Sequence, residues 1–560
     1  WGTISLGQGQ EPKATKMLAD GASKGFWVLL ANCHLCVHWL PSLEKVIEKT
    51  FEDKPHEQFR VFLSSSPTPK FPIQLLQNCI KMTTEPPRGL KANLLRMINS
   101  VTEEHYNRVK QTYNYRKLFF SLCWFHAVLL ERRKFKMLGW NVSYDFSDPD
   151  FDICENIIAM YLDENPHEIP WAAIRYLIAE ANYGGRVTEH PDNRVLNAYC
   201  AEFFSPNALQ PKFMLSTLPT YYIPEESSLS SYKNYVKELP MSEPPEAFGQ
   251  HVNAEISSSM QDTENMLSTI IAMTGGSGGG GGDARDALVM DTCNNLLEKL
   301  PENVDWEEVR ERNAADPSPL KVCLLQEIER YNALLSFTRA SIKLLQKGLQ
   351  GFVVISMEQE EVLAALFQGT VPKSWLYAYP SMKPLSSWMP DLADRIELLN
   401  VWGFNGVPKV FWLGGITYPT SLITALLQAA ARKSMISVDL LSFDFIVQSV
   451  DESSITSLPK DGAYIKSMIL EGAKWDANTM ALTDAETMQL FSPMPIVHFK
   501  PVTRKKAATE GIYACPLYLY PIRTGSRERP SFMIWVELKS GQYAPDLWTK
   551  RGAALLLSVA

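Results

Sequence analysis

Residues 26–30 (FWVLL) form an unbroken aromatic and aliphatic run. That pattern predicts a strand buried on both faces, as in a parallel sheet covered by helices. Polar Asn32 and His34 follow, and an amphipathic helix is predicted over 41–49. The same alternation runs through the first hundred residues. Residues 3–6, 59–63 and 79–83 read as further strands, and helices are predicted to begin near Pro12, Pro41 and Ile73. Strands alternating with helices predict a parallel α/β layer. The turn Glu85-Pro86-Pro87-Arg88-Gly89 punctuates its end.

Beyond it the period becomes helical. Residues 113–138 carry large apolar side chains at helical spacing and close on Gly139, read as a C-cap. Residues 171–181 form a second helix, ended by Tyr183-Gly184-Gly185, and 206–250 read as an extended connection rich in Pro, Ser and Tyr. Leu320, Leu324, Ile328, Tyr331, Leu335, Ile342, Leu345 and Leu349 fall near one face of a long helix. A packed globular helix is favoured over a coiled coil, because the pattern breaks at Gly351. One more helix is predicted over 421–432. From Ile436 the pattern turns to β, with strands predicted at 438–447, 463–470, 496–499, 512–520, 532–538 and 553–559. Prolines 495, 501, 516, 521 and 530 favour edges or bends. Such spacing predicts a small antiparallel barrel or sandwich.

Length and composition narrow the class. A chain of 560 residues exceeds one core and implies about three to four domains. Hydrophobic content of 46% and charged content of 21% are those of a globular protein. The net charge of −8 argues against nucleic-acid binding, and no apolar run reaches membrane-spanning length. Nine cysteines without framework spacing point to a reducing compartment. The start at Trp1, without Met or signal pattern, suggests a piece of a longer polypeptide.

Candidate chemistry is sparse. In ATP-hydrolysing P-loop proteins a strand like 26–30 ends in two acids that hold Mg²⁺ and orient water. Here the pair is Ala31-Asn32, without a carboxylate. Cys33, His34, Cys36 and His38 resemble a zinc knuckle, but no second Cys pair follows, and a strand end with small buried side chains is favoured. Redox use of the Cys pair lacks the expected context. Gly275-Gly276-Ser277-Gly278-Gly279 matches a nucleophile elbow in letters only, because a glycine run lacks the rigidity an elbow needs. The segment from Gly7 to Lys13 invites a phosphate-loop reading but fits no phosphate-loop pattern. Arg88 and Arg186 are candidates to face a phosphate, against a default of structural arginines. The charged tip 523–529 reads as a solvated hairpin, with partner contact as the alternative. Tryptophans 375, 388, 402, 412 and 475 read as core anchors.

Taken in order, these segments resemble the C-terminal end of a dynein heavy chain. ISLGQGQEPKA (4–14), GFWVLLANCHL (25–35), FRVFLSSSP (59–67) and EPPRGLKANLLR (85–96) resemble the large α/β part of the sixth AAA+ module of its ring. Segments 118–141 and 169–194 resemble that module's helical lid. LLQEIERYNALL (324–335), segments 378–396 and 410–433, ILEGAKWD (469–476) and KRGAALLLSV (550–559) resemble the domain that follows the ring. The resemblance implies a multidomain protein of α/β, α and α+β parts. These would be a partial AAA+ α/β core over 1–110, a helical lid over 111–245, a helical C-terminal part over 246–435 with a Gly-rich loop at 275–282, and a β-barrel part over 436–560.

The resemblance further implies a structural module without nucleotide chemistry of its own, consistent with Ala31 and Asn32. ATP and Mg²⁺ would be bound in other modules, and no metal or cofactor in this segment. Implied partners are neighbouring AAA+ modules, other heavy, intermediate and light chains, and microtubules through parts outside this segment, with no nucleic acid or membrane. The implied place is the axoneme of a cilium or flagellum. The hairpin at 523–530 is shorter than the family's usual one, which puts any partner contact there in doubt. Two other readings are a nucleotide-dependent enzyme using the Gly7 turn and Arg186, and a protein-interaction adaptor.

Overall fold

Strands β1 (Gly2–Ser5), β2 (Trp27–Ala31) and β3 (Arg60–Leu63) pair in parallel, in the order β1-β2-β3, with Ser5 opposite Ala31 and Leu30 opposite Leu63. Helices Glu11–Lys24 and Leu40–Glu52 connect them. This computed structural model describes residues 1–558 apart from 8, 67, 69–70, 83–85, 226–227, 276–281, 313, 315–317, 378, 382, 504–509, 521–522 and 524–530. The Gly-rich run, including Ser277, and most of the 523–530 hairpin lie outside the described residues. The protein divides into two compact units, Trp1–Pro86 and Pro87–Ala560.

In the first unit, Val28 and Leu30 are buried with Leu18, Leu40 and Leu43 of the helices. β2 is not buried on both faces, as its composition predicts. Trp27 is 48% exposed and Phe62 43%, their rings 5.5 Å apart on the other side of the sheet. The unit's helices cover one face, and a parallel sheet half covered leaves its second row of apolar side chains in the open. The predicted strand at 79–83 is absent over 79–82. The backbone there leaves helix Ile73–Asn78 unpaired, with Ile80 94% exposed.

The second unit begins with a helical layer. Helix Thr112–Glu131 is buried along nearly its whole length from Lys117 to Leu130, as a centre surrounded by other helices must be. Gly139 closes the helical run that follows, but not as a left-handed cap. The α-helix ends at Glu131 and continues as a 3₁₀ segment, Arg132–Leu138, broken at Lys136, whose φ is 50°. Gly139 itself has φ −84°, outside the left-handed region. The predicted extended stretch 206–250 contains a helix, Leu229–Glu238, capped by the Ser228 hydroxyl. Helix Asp148–Glu164 starts at a reciprocal capping box of Ser147 and Asp150.

The long helix, Pro319–Leu349, buries Leu324, Ile328, Tyr331, Leu335, Ile342 and Leu345 in a shared core with Leu422 and Leu426 of helix Pro419–Ser434. It is a globular helix. Trp375, Trp388, Trp402 and Trp475 are buried in the same core, and Trp412 is half-buried.

The β region differs from the predicted antiparallel barrel. Its further strands are β4 (Val410–Trp412), β5 (Leu441–Val447), β6 (Ala463–Lys466), β7 (Ile469–Glu471), β8 (Lys474–Asp476), β9 (Ala481–Thr483), β10 (Phe491–Pro493), β11 (Val497–Thr503), β12 (Ile512–Tyr518), β13 (Phe532–Lys539) and β14 (Ala554–Leu556). Among the described residues they form sheets of order β10-β7-β14-β12-β13 and β4-β6-β11-β5 and a β8-β9 pair, and no closed barrel. One cause is the break inside predicted strand 463–470. Ser467 takes φ 63°, so β6 enters one sheet and β7 the other. Both sheets are mixed, because β4 runs parallel to β6 and β14 parallel to β12. Pro516 is tolerated inside β12 because its pairing with β14 involves Leu517 and Tyr518.

Candidate functional site

Ala31 and Asn32 lie where the three parallel strands end. Asn32 follows β2 in the left-handed region, φ 58° and ψ 44°, which asparagine tolerates better than most residues. Its Nδ2 donates to Ser5 Oγ at 2.9 Å, and its backbone N–H donates to Ser64 Oγ at 3.3 Å. The Cys33 N–H donates to the Ser64 carbonyl at 2.9 Å. An amide and two hydroxyls thus tie the strand ends together. They supply neither the anionic oxygens Mg²⁺ favours nor a base for water.

The Gly7 turn follows β1. The Gln10 N–H donates to the Gly7 carbonyl at 3.3 Å, and Gly9 takes φ 77°. The helix then opens with Glu11 in its first turn. A carboxylate at a helix N-terminus is itself the favoured anion and repels a phosphate. The predicted knuckle divides. Cys33 Sγ donates to the Leu30 carbonyl at 3.5 Å, and His34 Nδ1 accepts from the Ser66 N–H at 3.0 Å. Burial pushes the Cys33 thiol up to about 11. Cys36 and His38 turn instead toward Glu11.

The two arginines belong to the second unit. Arg88 is exposed beside Gly89. Arg186 Nε and Nη2 donate to Asp150 Oδ1 at 3.0 and 2.9 Å, and Nη2 also reaches Ser147 Oγ at 3.3 Å. Burial alone would raise the Asp150 carboxyl, but Arg186 and Ser147 outweigh it and hold it below its usual range. Arg186 thereby braces a helix start.

The most developed polar architecture is a seam within the second unit, between residues 132–254 and 471–551. Arg132 is fully buried. Its guanidinium donates to the Gly139 carbonyl at 2.9 and 3.1 Å, the Leu138 carbonyl at 3.2 Å, the Tyr199 hydroxyl at 2.6 Å and the Lys550 carbonyl at 2.8 Å. Gln250 Nε2 donates to the same Leu138 and Lys550 carbonyls at 2.7 and 2.9 Å. Arg194 donates to the Ala514 carbonyl at 2.7 Å and lies 4.7 Å over the Trp535 ring. Asn141 Nδ2 donates to the Tyr518 hydroxyl at 3.1 Å, and Asn253 Nδ2 to the Glu486 and Gln489 carbonyls at 2.8 and 3.0 Å. Lys550 pairs with Glu202. Sequence reading missed this seam, because its partners lie as far as 418 positions apart.

Two buried titratable groups lie in the same unit, Asp192 beside the seam and His126 within the helical layer. Burial pushes Asp192 up to about 6, although the Asn141 and Val142 N–H groups and the Tyr144 O–H bond to its carboxylate. Burial pushes His126 down to about 4, its Nδ1 lying 2.7 Å from the Tyr183 hydroxyl. Their contributions oppose one another. Asp192 binds its proton more tightly folded than unfolded, so it removes stability as pH rises from 3.8 to about 6. His126 takes up its proton more readily unfolded, so it removes stability as pH falls from 6.5 to about 4. Each amounts to ~3 kcal/mol across its window. Asp192→Asn is therefore expected to expose the histidine slope. Urea titrations at pH 4, 5 and 6 should show the variant losing stability toward pH 4 more steeply than the parent. Parallel curves would refute the assignment.

Among the described residues no helix is long and apolar enough to cross a membrane. Three family models match in sequence order, all of the dynein heavy chain. Its region D6 P-loop domain matches residues 2–83, its AAA lid domain 115–254 and its C-terminal domain 260–557. The protein is 50% identical over 562 residues to the dynein-1-beta heavy chain of the flagellar inner arm I1 complex of Chlamydomonas reinhardtii, covering 100% of its own length and 12% of that relative. It is 47% identical over 560 residues to dynein axonemal heavy chain 2 of Homo sapiens, covering 99% of its own length and 13% of that relative. With human dynein axonemal heavy chain 1 the identity is 39% over 564 residues, with the same coverage of 99% and 13%. The 560 residues thus span about an eighth of the length of these relatives.

Proposed function

The chain belongs to the dynein heavy chain family, and from that premise we propose that it is the sixth ring module and C-terminal domain of an axonemal heavy chain, an ATP-driven microtubule motor. The observation that carries this is the ordered match of P-loop domain, lid and C-terminal domain along the whole sequence. The named axonemal and flagellar relatives support a place in the cilium or flagellum. Association with other dynein chains and with microtubules is proposed on the same ground.

Within that motor the segment's role is mechanical. Ala31 and Asn32 lack the acids that nucleotide chemistry needs, and Asn32 is engaged by Ser5 and Ser64. The segment carries no nucleotide, and ATP and Mg²⁺ act in other modules. The separate P-loop-domain and lid matches support reading an α/β core followed by a lid. The Arg132 seam makes lid and C-terminal domain move as one piece, so that rotation reaching the lid passes into the domain beyond it. The other two readings gain no support. Arg186, which the enzyme reading needs, is held by Asp150, and the Gly7 turn meets a carboxylate at Glu11.

Two measurements test the proposal. A fluorescent ATP analogue titrated into the 560-residue protein with Mg²⁺ should show no saturation below about 1 mM. Micromolar binding would overturn the nucleotide-free role. The full-length heavy chain should drive ATP-dependent microtubule gliding, and a protein that hydrolyses ATP without moving microtubules would overturn the motor assignment.

A further inference from the structure

Cys36 and His38 do not act with Cys33 and His34, as their spacing suggests. They converge on a residue 25 and 27 positions earlier. Cys36 Sγ lies 3.6 Å from Glu11 Oε1, and His38 Nε2 lies 3.2 Å from the same oxygen. The three ligand atoms all fall within 4.8 Å of one another. We propose that Glu11, Cys36 and His38 form a site for one divalent transition-metal ion, Zn²⁺ by its ligand chemistry, with the fourth position open to water.

The distances carry this. A tetrahedral ion bound at about 2.0–2.3 Å places neighbouring ligand atoms about 3.3–3.6 Å apart. The sulfur–oxygen and nitrogen–oxygen separations already lie near that edge length. The remaining edge closes by rotation of His38, whose side chain is 71% exposed and free to turn. The other two ligands are less exposed, Glu11 at 20%. Cys36 is fully buried, and Glu11 sits at the helix start with Pro12 next to it. One thiolate, one imidazole and one carboxylate suit Zn²⁺, whereas Mg²⁺ and Ca²⁺ require oxygen ligands.

Cys36 Sγ now donates to the Gly7 carbonyl at 3.3 Å and to Glu11. On binding, the thiol proton passes to solvent, a sulfur–metal bond replaces the S–H bond, and neutral His38 gives its Nε2 lone pair. Thiolate and carboxylate then balance the two positive charges. The ion would clamp the turn after β1 to the 3₁₀ segment Cys33–Trp39 that follows β2, beside the strand ends tied by Asn32.

The test uses the untagged 560-residue protein, reduced and freed of metal. Titration with Co²⁺ should give a tetrahedral d–d spectrum with a thiolate charge-transfer band, saturating at one equivalent and displaced by Zn²⁺. His38→Gln changes an exposed side chain and keeps the fold. It should weaken Zn²⁺ binding more than about 100-fold, exceeding the loss typical of a residue behind a ligand. Cys36→Ser should abolish the charge-transfer band, and His34→Gln should leave affinity and spectrum unchanged. No Co²⁺ spectrum at one equivalent would overturn the site. So would binding that survives His38→Gln, or binding lost in His34→Gln, which would return the ion to the knuckle.

Discussion

Arg132→Met is expected to destabilise the second unit by about 3–5 kcal/mol, because it strips a buried cluster of acceptors of their common donor. The losses are unequal. The Leu138 and Lys550 carbonyls keep the Gln250 amide, whereas the Gly139 carbonyl loses both of its bonds from the guanidinium. Methionine fills part of the volume, so the penalty comes from unsatisfied polar groups more than from a cavity. The Trp140 and Tyr199 rings also lose the cation 5.6 and 5.3 Å away. If the unit melts in one step, its size limits the fall in Tm to about 3–5 °C. Hydrogen exchange is the sharper measurement. Amides of 550–553 and 138–141 should lose protection together, while those at the centre of helix Thr112–Glu131 hold. Unchanged exchange at 550–553 would show that the seam does not join the two parts energetically.

Asp391→Ala is expected to cost a similar ~3–5 kcal/mol, for a different reason. Asp391 lies among cations and a phenol. Arg395 Nε donates to it at 2.7 Å, Lys383 Nζ at 2.7 Å, and the Tyr379 hydroxyl bonds to it as well. Burial alone would raise its carboxyl, but Arg395, Lys383 and Tyr379 hold it below its usual range. Removing it leaves the Arg395 guanidinium buried between Tyr379 and Trp412, 4.2 and 5.0 Å from their rings, without its counter-charge. The double variant Asp391→Leu with Arg395→Met should be less destabilised than Asp391→Ala alone, because no unpaired charge remains. Urea unfolding of both variants beside the parent provides the comparison. Equal losses in the double and single variants would mean that packing, not charge, governs the position.

The regular elements were legible because their side chains declare their period locally. The run FWVLL predicted β2 to within a residue, and the apolar spacing of 320–349 predicted the long helix. What failed depended on distant partners. The exposure of Trp27 could not be read from a run that looks apolar throughout. The division of 463–470 turns on a positive φ at Ser467, a residue with no marked preference for it. The lack of a carboxylate at Ala31-Asn32 was visible, whereas the tie of Asn32 to Ser5 and Ser64 was not. Cys36 and His38 stood out, but their meeting with Glu11 requires the β1 turn to fold beside β2. Nothing in the sequence marks Arg132, and its burial emerges only when Lys550 packs over it. Asp391 and Arg395 stand four residues apart, an acid before a base, but that spacing became informative only once helix Leu385–Asn405 was in view.

Strand β14 lies inside its sheet, between β7 and β12, with Leu555 opposite both Leu470 and Leu517. A ribosome making this protein therefore releases β7 and β12 long before the strand that unites them exists. Until residues 554–556 emerge, two strand edges stand unpaired and open to association with other polypeptides. A premature stop before Ala554 would make that state permanent. It would leave a split sheet prone to aggregate in place of a shortened fold.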